Sequence, residues 1–390
     1  MLRGNRIRLI LTPEQEELCL KSAGAARWAY NYFIEQNAAQ YQLYKNGQAA
    51  NGYINASEIK KQTVAMKKST HKWLKDVGCN VVKQAINDAD KAYSDFISGK
   101  CGKPHFKSRR YSKPSFYVNY ETLKRVGNGF KGEKLGVVKT AQPLPKLKEG
   151  EHYSNPRISY DGKHWYLSFC YPVTPEKQTL TNTVLGIDLG VKTLATCSDK
   201  KVYRNINKSK RVRKLKKRLK REQRKLSRKL ESNTKCYKQV GGYPVPVYER
   251  PLKDCKNIER QRMKVNAIQK KIANIRTNYL HQTTTEIVRT KPSRIVMENL
   301  NVKGMLRNRH LAKAIHEACF YEFKRQMIYK CEFYGIEFIE ADRFYPSSKK
   351  CSNCGNIKHD LKLSDRVYNC VKCGLSIDRD YNASLNLASY

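Results

Sequence analysis

Residues 184–190 read Val-Leu-Gly-Ile-Asp-Leu-Gly, an apolar run that is too short for a helix and has one carboxylate near its end. This pattern predicts a buried strand that presents a single acid, Asp188. Because side chains alternate along a strand, Asp188 shares its face with Gly186 and Gly190, and a face without bulky side chains would admit a large anionic substrate. Two further short strands are predicted within residues 194–203, so the run opens an antiparallel meander.

The predicted elements after this meander alternate between helix and strand. A long helical region leads to a strand at residues 294–298, a helix, a strand at residues 336–339 and a terminal helix from about Asp378. The helix between the two strands has apolar residues at helical spacing: Leu311, Ile315, Cys319, Phe323 and Met327. Three antiparallel strands followed by this alternation have the connectivity of the ribonuclease H-like fold, so we expect that fold here.

In a ribonuclease H-like fold, acids on the first strand, at the end of the fourth strand and on the last helix converge. Those places hold Asp188, Glu298 and an aspartate of the Asp378-Arg379-Asp380 run. Three carboxylates in one cleft repel one another unless cations neutralise them, so we expect a pair of Mg²⁺ ions about 4 Å apart that activate water and stabilise the leaving oxygen. The predicted chemistry is phosphodiester hydrolysis, in which the same acids are catalytic residues and magnesium ligands.

Each of these acids has an alternative interpretation. A lone aspartate at a strand end, such as Asp188, is often a cap or turn residue. Glu298 closes a buried strand, where an acid needs a partner or an ion. Asp378 is well placed to cap the last helix, whereas Asp380 lies in the first turn with the small Ala383 beneath it, so we favour Asp380 as the third ligand.

The composition predicts a polyanionic partner. The chain has 390 residues, enough for two or three domains, and a net charge of +43. So large a charge repels itself unless an anion neutralises it, and nucleic acid is the default partner. A basic protein could instead bind membranes, but no apolar run approaches the length of a span and residues 1–6 lead into no signal-peptide core. We therefore predict a cytoplasmic, nucleoid-associated protein without a membrane partner.

Four of the thirteen cysteines form two Cys-x-x-Cys turns separated by fifteen residues: Cys351, Cys354, Cys370 and Cys373. This spacing predicts a tetrahedral zinc ribbon in which each turn supplies two thiolates to one ion. A redox pair would explain one turn but not both. Because four protein ligands leave no open position, we expect the zinc to be structural. The other nine cysteines follow no pattern and are predicted to be reduced.

The N-terminal half predicts a small barrel interrupted by helices. Residues 6–11 alternate as an edge strand would, and short strands with turns recur after residue 114. Between them, Thr12 and Gln15 form a capping box with Pro13, which starts a helical block that runs to about Ser98. The helical block is therefore expected to be inserted after the first strand of the barrel.

Several basic segments are candidate nucleic-acid contacts. Residues 103–113 interleave cations with aromatic rings, which suits phosphates and stacked bases. Residues 208–230 predict an amphipathic helix with a cationic face, followed by a loop at residues 233–254 and a second helix at residues 258–290 that completes a hairpin beside the cleft. The candidates in these segments are Lys103, His105, Phe106, Lys107, Arg109, Arg110, Tyr111, Arg213, Lys217 and Arg221. A third segment, which leads into the ribbon, adds Phe344, Tyr345, Ser347, Ser348 and Lys349.

Six motifs together resemble those of the TnpB (OrfB) family, transposon-encoded relatives of the type V CRISPR effectors. They are Leu-Thr-Pro-Glu-Gln at residues 11–15, Gly-Lys-Pro-His-Phe-Lys-Ser at 102–108, Gly-Ile-Asp-Leu-Gly at 186–190, Met-Glu-Asn-Leu at 297–300, Ala-Asp-Arg-Phe-Tyr-Pro-Ser-Ser-Lys at 341–349 and Asp-Arg-Asp-Tyr-Asn-Ala-Ser at 378–384. The resemblance covers nearly the whole chain. It departs in the region from Cys236 to Cys255, which looks like an insertion, and the chain has almost no tail after the last motif.

The resemblance implies an RNA-guided DNA endonuclease whose RuvC domain uses Asp188, Glu298 and Asp380. One chain would bind one guide RNA from the transposon end and cut double-stranded DNA beside a short flanking motif. The implied α+β architecture has a β-barrel wedge domain at residues 1–11 and 114–180, a helical recognition domain at 12–113, a ribonuclease H-like RuvC domain at 181–345 and 376–390, and an inserted zinc ribbon at 346–375.

Two other functions share this scaffold. A guide-dependent DNA-binding regulator would not need the three carboxylates, and their presence argues against it. A DNA-strand-transferring transposase would use a similar acidic triad, but the resemblance favours a nuclease. The charge of +43 also exceeds what a short DNA site could cover, so we expect RNA to be an obligate part of the enzyme.

Overall fold

A computed structural model describes residues 1–109, 112–175, 178–252, 254–362 and 365–390. The chain forms two compact units, Met1–Thr174 and Pro175–Tyr390. Both mix helices with sheet.

Seven strands of the first unit form one antiparallel sheet with the order β2-β6-β7-β1-β5-β4-β3. The strands are β1 Leu2–Ile10, β2 Ser115–Tyr117, β3 Lys124–Val126, β4 Gly129–Gly132, β5 Gly136–Thr140, β6 Ser154–Tyr160 and β7 Trp165–Pro172. The first strand of the chain thus lies in the middle of a sheet whose other strands follow the helical block. This order has β2 and β3 at its two ends, and the barrel expected for these strands remains a prediction.

The helices of the first unit are α1 Pro13–Lys45, α2 Ala56–Lys68, α3 Cys79–Ile97 and a short 3₁₀ helix, Lys72–Asp76. The capping box predicted at the start of α1 is confirmed, because the Thr12 side chain accepts from the Gln15 amide and the Gln15 side chain accepts from the Thr12 amide. Helix α3 is joined to β6 by a bidentate pair in which Arg157 donates to Asp88 at 2.7 and 2.9 Å.

The second unit contains a five-stranded sheet with the order β10-β9-β8-β13-β14. Its strands and those of a separate hairpin are β8 Thr181–Leu189, β9 Thr193–Cys197, β10 Val202–Arg204, β11 Thr234–Val240, β12 Tyr243–Tyr248, β13 Pro292–Met297 and β14 Glu337–Glu340. The meander β8 to β10 is antiparallel, whereas β13 runs parallel to both β8 and β14. The helices are α4 Lys210–Glu231, α5 Lys256–Arg289, α6 Val302–Met305, α7 Ala312–Ala318, α8 Phe320–Tyr334 and α9 Arg379–Ala388.

The loop predicted at residues 233–254 is wrong, because β11 and β12 form a two-stranded hairpin there. Gly241 and Gly242 connect the strands with φ angles of +58° and +81°, which the tight turn of a two-residue hairpin requires. Pro244 and Pro246 lie two residues apart on β12, so both rings occupy the same face, and a two-stranded ribbon tolerates them because each strand is an edge. The helical hairpin that flanks this ribbon is as predicted: α4 packs on α5 through Val212, Ile268 and Ile272 and their neighbours.

The single helix predicted around residues 311–327 is also wrong. Two helices, α7 and α8, meet at Cys319, whose backbone is left-handed with φ +57° and ψ +40°. The Cys319 amide still bonds the carbonyl of Ile315, which ends α7, and α8 restarts in a new direction. The apolar periodicity continues through Cys319, so the sequence contains no sign that the helix is interrupted there.

Candidate functional site

Three distant acids converge at one end of the five-stranded sheet. Asp188 lies near the end of β8 and Glu298 directly follows β13, and the parallel register that pairs Ile187 with Met297 places the two next residues side by side. Their carboxyl groups lie within electrostatic reach of each other, and Asp380, in the first turn of α9, lies within electrostatic reach of both. The structure therefore brings together the three acids that the sequence singled out.

The electrostatics of this acid cluster (Asp188, Glu298 and Asp380) favour cation binding. Burial raises the pKa of Asp188 well above its usual range, the charges of Glu298 and Asp380 raise it further, and only Arg379 opposes them. Burial also raises the pKa of Glu298, although hydrogen bonds from Ser347 and Asp188 lower it. A divalent cation beside Asp188 and Glu298 would favour the charged forms of both carboxylates. Oxygen ligands of this kind suit Mg²⁺.

The two aspartates at the start of α9 have different roles. Asp378 is the N-cap, because its Oδ1 accepts from the amides of Asp380 and Tyr381, both at 3.0 Å, and this predicted role is confirmed. Asp380 instead accepts from the Arg379 guanidinium at 3.1 Å, and its charge raises the pKa of Asp188 more than the charge of Asp378 does. The geometry therefore agrees with Asp380 as the ligand, which remains a prediction.

The open face expected around Gly186 is wrong, because helix α9 covers it. A Cβ atom on Gly186 would lie 2.0 Å from the carbonyl oxygen of Ser384 and 2.4 Å from the amide nitrogen of Ala388. Glycine is needed here so that the α9 backbone can contact β8, and Ala383 is fully buried on the same helix. This close contact brings Asp380 to the sheet, so the glycine serves the assembly of the acid cluster and not access by a substrate.

Ser347 lies beside the acid cluster and is almost fully buried. Its side chain is only 3% exposed, and its hydroxyl donates to Oε1 of Glu298. Its carbonyl accepts from Asn386 at 2.7 Å, and the Tyr345 hydroxyl donates to the Asn386 carbonyl at 3.0 Å. Little of Ser347 is thus exposed for the nucleic-acid contact predicted for it, and its hydroxyl is bonded to Glu298 instead. The half-buried Tyr345 contacts α9.

Two asparagines on α9 were missed by the sequence reasoning. Asn382 and Asn386 are fully or almost fully buried, and both donate to the carbonyl of Lys350, at 2.7 and 2.6 Å. Asn382 also accepts from the Ser352 amide at 3.0 Å. These bonds fasten the start of the cysteine-rich segment to the helix that holds Asp380. The sequence signal that could have identified them is the spacing of the two asparagines, which lie one helical turn apart on the face of α9 that includes Ala383.

The four predicted cysteines form a cluster in which all Sγ atoms lie within 4.8 Å of one another. Two short strands support it, β15 Val367–Asn369 and β16 Ser376–Asp378, and Tyr368 is fully buried beside it. Hydrogen bonds from the Leu375 backbone and the Asn353 side chain lower the pKa of Cys373 to about 6. Four sulfur atoms this close together suit one zinc ion, and all four ligands would come from the chain.

The candidate nucleic-acid contacts are mostly exposed. Phe106 is 60% and Phe344 88% exposed, and solvent also reaches Lys103, His105, Arg109, Arg213, Lys217, Arg221 and Lys349, with Ser348 partly covered. Lys107 lies over the ring of Tyr30 at 3.5 Å, and desolvation lowers the pKa of its ammonium group. Arg110 and Tyr111 lie outside the described residues. Nucleic-acid binding by these side chains remains a prediction.

Three family models match the chain. They are described as "Helix-turn-helix domain" of OrfB (residues 1–46), "Probable transposase" of OrfB (168–309) and "Cas12f1-like, TNB domain" (320–387). Residues 1–46 here form one strand followed by one long helix rather than two helices and a turn.

Relatives match along almost the full length. A "Putative RNA-guided DNA endonuclease" of Streptomyces pristinaespiralis is 28% identical over 99% of this chain and 88% of its own. "Putative RNA-guided DNA endonuclease InsQ" of Escherichia coli K12 is 26% identical over 99% of this chain and 92% of its own. The protein in the structure of a Cas12f1–sgRNA–target DNA complex covers 100% of this chain and 98% of its own, with a TM-score of 0.59 and 14% identity, which shows a shared fold.

The fold and these matches place the chain in the class of mixed α+β proteins that includes Cas12f1. The OrfB family models and the full-length relatives support the resemblance of the chain to the TnpB (OrfB) family. In the part of the chain that the structure describes, none of the helices combines the length and apolar character needed to cross a membrane.

Proposed function

We propose that this protein is an RNA-guided DNA endonuclease of a transposon. The acid cluster is the observation that supports this proposal most strongly. The register of β8 and β13 and the close contact of α9 with β8 bring together three carboxylates that are far apart in the sequence. Full-length relatives named as RNA-guided DNA endonucleases support the same function. The five-stranded sheet would be a RuvC domain of ribonuclease H-like fold, and the sheet of the first unit a barrel-like wedge domain.

In this proposal Asp188, Glu298 and Asp380 hold Mg²⁺. The bound metal would activate water and stabilise the oxygen that leaves from the scissile phosphate. The protein's contribution is to hold the acids in place: Ser347 orients Glu298 by donating to it, and Arg379 limits the repulsion around Asp380. Burial excludes bulk water from Asp188 and strengthens its attraction to a cation.

The zinc held by the four cysteines would be structural. All four positions around the ion would be filled by Cys351, Cys354, Cys370 and Cys373, so no site for water or substrate remains. The ion would stabilise a ribbon whose own apolar core is small, with Tyr368 as its largest buried side chain.

RNA would supply the sequence recognition. The +43 charge, the cationic face of α4 and the basic segment around Lys103 would contact the phosphates of a structured guide RNA, whose unpaired end pairs with one DNA strand beside a short flanking motif. The acid cluster has no means of reading sequence by itself. The partners would thus be the guide RNA and double-stranded DNA, with one chain per RNA.

Sequencing the RNA that copurifies with the protein and then supplying DNA that matches its terminal segment tests the proposal. We expect cutting in Mg²⁺ only at the matched site, and none after RNase treatment. Equal cutting at the same site by RNase-treated, RNA-free protein would overturn the guide model, and strand-transfer products would identify a transposase.

A further inference from the structure

A cavity of about 250 Å³ opens beside Glu298 in the second unit. It lies at the carboxyl ends of the parallel strands: Leu189 ends β8, Glu298 follows β13 and Arg343 follows β14. Ligands of open parallel sheets bind at this end of the strands. The cavity is slightly smaller than the range of about 300–1,000 Å³ typical of sites for drug-sized molecules, so it suits a single nucleotide and not a longer segment.

The charges around the cavity suit a phosphate group. Glu298 is the one carboxylate among its lining residues, and it belongs to the acid cluster. Three cations line the rest: Lys324 is paired with Glu340 at 3.0 Å, whereas Lys303 and Arg343 are exposed and have no carboxylate partner within the described ranges. Two cations without counter-ions beside a metal-binding acid favour an anion that spans both, as a phosphodiester backbone does.

An exposed aromatic ring completes the cavity. Phe320 and Tyr321 begin α8, and Phe320 is 2% exposed while Tyr321 is 67% exposed. Phe320 anchors the helix in the core, so the neighbouring Tyr321 ring is held at the rim of the cavity without a stacking partner among the described residues. Aromatic rings at such positions stack on unpaired bases, because every base has a π-face regardless of sequence.

We propose that this cavity is a subsite for the unpaired nucleotide that flanks the scissile phosphate. Tyr321 stacks on its base, and Arg343 and Lys303 contact its phosphates, so the adjoining phosphodiester is delivered to Glu298. The inference rests on the proposed nuclease function and adds to it the residues that hold the flanking nucleotide and their position on the α8 side of the site. A base inside a duplex has both faces covered by the neighbouring bases of the stack and could not stack on Tyr321.

The stacking is tested by combining protein variants with abasic substrates. The guide-loaded protein would cut DNA strands that carry one abasic site at successive positions around the mapped cut. For Tyr321→Ala we expect KM to rise about tenfold on normal DNA, with a smaller change in kcat, and Tyr321→Phe to restore it. The difference in KM between Tyr321→Ala and the wild type should vanish at one abasic position, because no base remains there to stack. Tyr243→Ala, which removes a ring 76% exposed on β12, is the matched control.

The phosphate contact is tested in the same way with uncharged methylphosphonate linkages. Arg343→Gln should raise KM several-fold on normal DNA but not on DNA whose flanking linkage is uncharged. Arg289→Gln, an exposed arginine on α5 just before the amino end of β13, is the control and should cut like the wild type.

Two outcomes are distinguishable. If the wild-type complex cuts but Tyr321→Ala matches it at every substrate position, the subsite is refuted and the nuclease stands. If the wild type does not cut, the proposed function fails, and the subsite is then judged by 2-aminopurine fluorescence in Ca²⁺. The subsite is supported if the wild type quenches the fluorescence at one position and Tyr321→Ala does not. Equal quenching by the wild type and Tyr321→Ala would refute it.

Discussion

The acid cluster and the cysteine cluster are both proposed metal sites, but they are assembled in different ways. The four cysteines lie within 23 residues, from Cys351 to Cys373, and two local turns supply them. The three acids are separated by 110 and 82 residues, since they are Asp188, Glu298 and Asp380, and they meet only after a parallel sheet and a terminal helix have formed. We expect the cysteine site to depend on its metal for folding, whereas the acid cluster depends on the rest of the second unit.

The two sites are also physically connected. Ser347 precedes the ribbon and donates to Glu298, while Asn382 and Asn386 fasten the Lys350 carbonyl to α9. We expect a change in the ribbon to affect the acid cluster through this junction, whereas a change in the acid cluster should leave the four local cysteines able to bind zinc. Variants of the two clusters can therefore show whether the cysteine cluster assembles independently of the acid cluster.

The largest effect is expected for zinc. Removal of the ion, or Cys351→Ser, should cost the ribbon about 10 kcal/mol of binding free energy and unfold it. Elemental analysis should find one zinc per wild-type chain and none in the variant, while Cys236→Ser, an exposed cysteine of β11, should keep its zinc. A carefully purified wild-type protein without zinc would contradict the structural-metal account.

The next effect concerns long-range assembly. Gly186→Ala should destabilise the second unit by about 1–3 kcal/mol, because its Cβ would overlap the backbone of α9 and push Asp380 away from the sheet. Urea unfolding should show the loss, together with reduced cleavage and an unchanged zinc content. Gly4→Ala in β1 has open space around its Cβ and should leave all three unchanged. Loss of zinc on Gly186→Ala would mean that the ribbon is not independently assembled.

Ser347→Ala tests the junction between the sites. Removing the hydroxyl leaves Glu298 without one of its hydrogen bonds, which we expect to lower kcat about tenfold to a hundredfold, since such a bond to a charged group contributes about 1.5–3 kcal/mol. Single-turnover cleavage and zinc content should be measured together. Ser376→Ala, which changes an exposed serine on β16, is the control. Unchanged cleavage by Ser347→Ala would remove its positioning role.

The smallest effect is expected for the helix cap. Asp378→Ala removes two hydrogen bonds at the start of α9 and should cost about 1 kcal/mol of stability. Thermal unfolding should show a small decrease in Tm, and cutting should persist.

Chemistry with fixed spacing was predictable, whereas contacts set by packing were not. Asp188 and Glu298 were identified because a carboxylate at the end of a buried strand needs a partner or an ion, and the cysteines because two Cys-x-x-Cys turns match the spacing of zinc ligands. The role of Ser347 could not be deduced, because its partner Glu298 lies 49 residues away and only the tertiary structure joins them. The β11–β12 hairpin was missed because glycine and proline are typical of loops. In this hairpin the glycines form the turn and the prolines lie on an edge strand.

The central claim is that Asp188, Glu298 and Asp380 together form the nuclease site. Its most direct test is to compare Asp380→Asn with Asp378→Asn in the guide-loaded complex, measuring Mg²⁺-dependent cleavage and DNA binding in parallel. We expect Asp380→Asn to lower cleavage about 10³-fold or more with DNA binding retained, since loss of a metal ligand removes several kcal/mol of transition-state stabilisation, and Asp378→Asn to cut at close to the wild-type rate. Near wild-type cutting by Asp380→Asn and loss of cutting by Asp378→Asn would contradict the account and assign the third acid to Asp378.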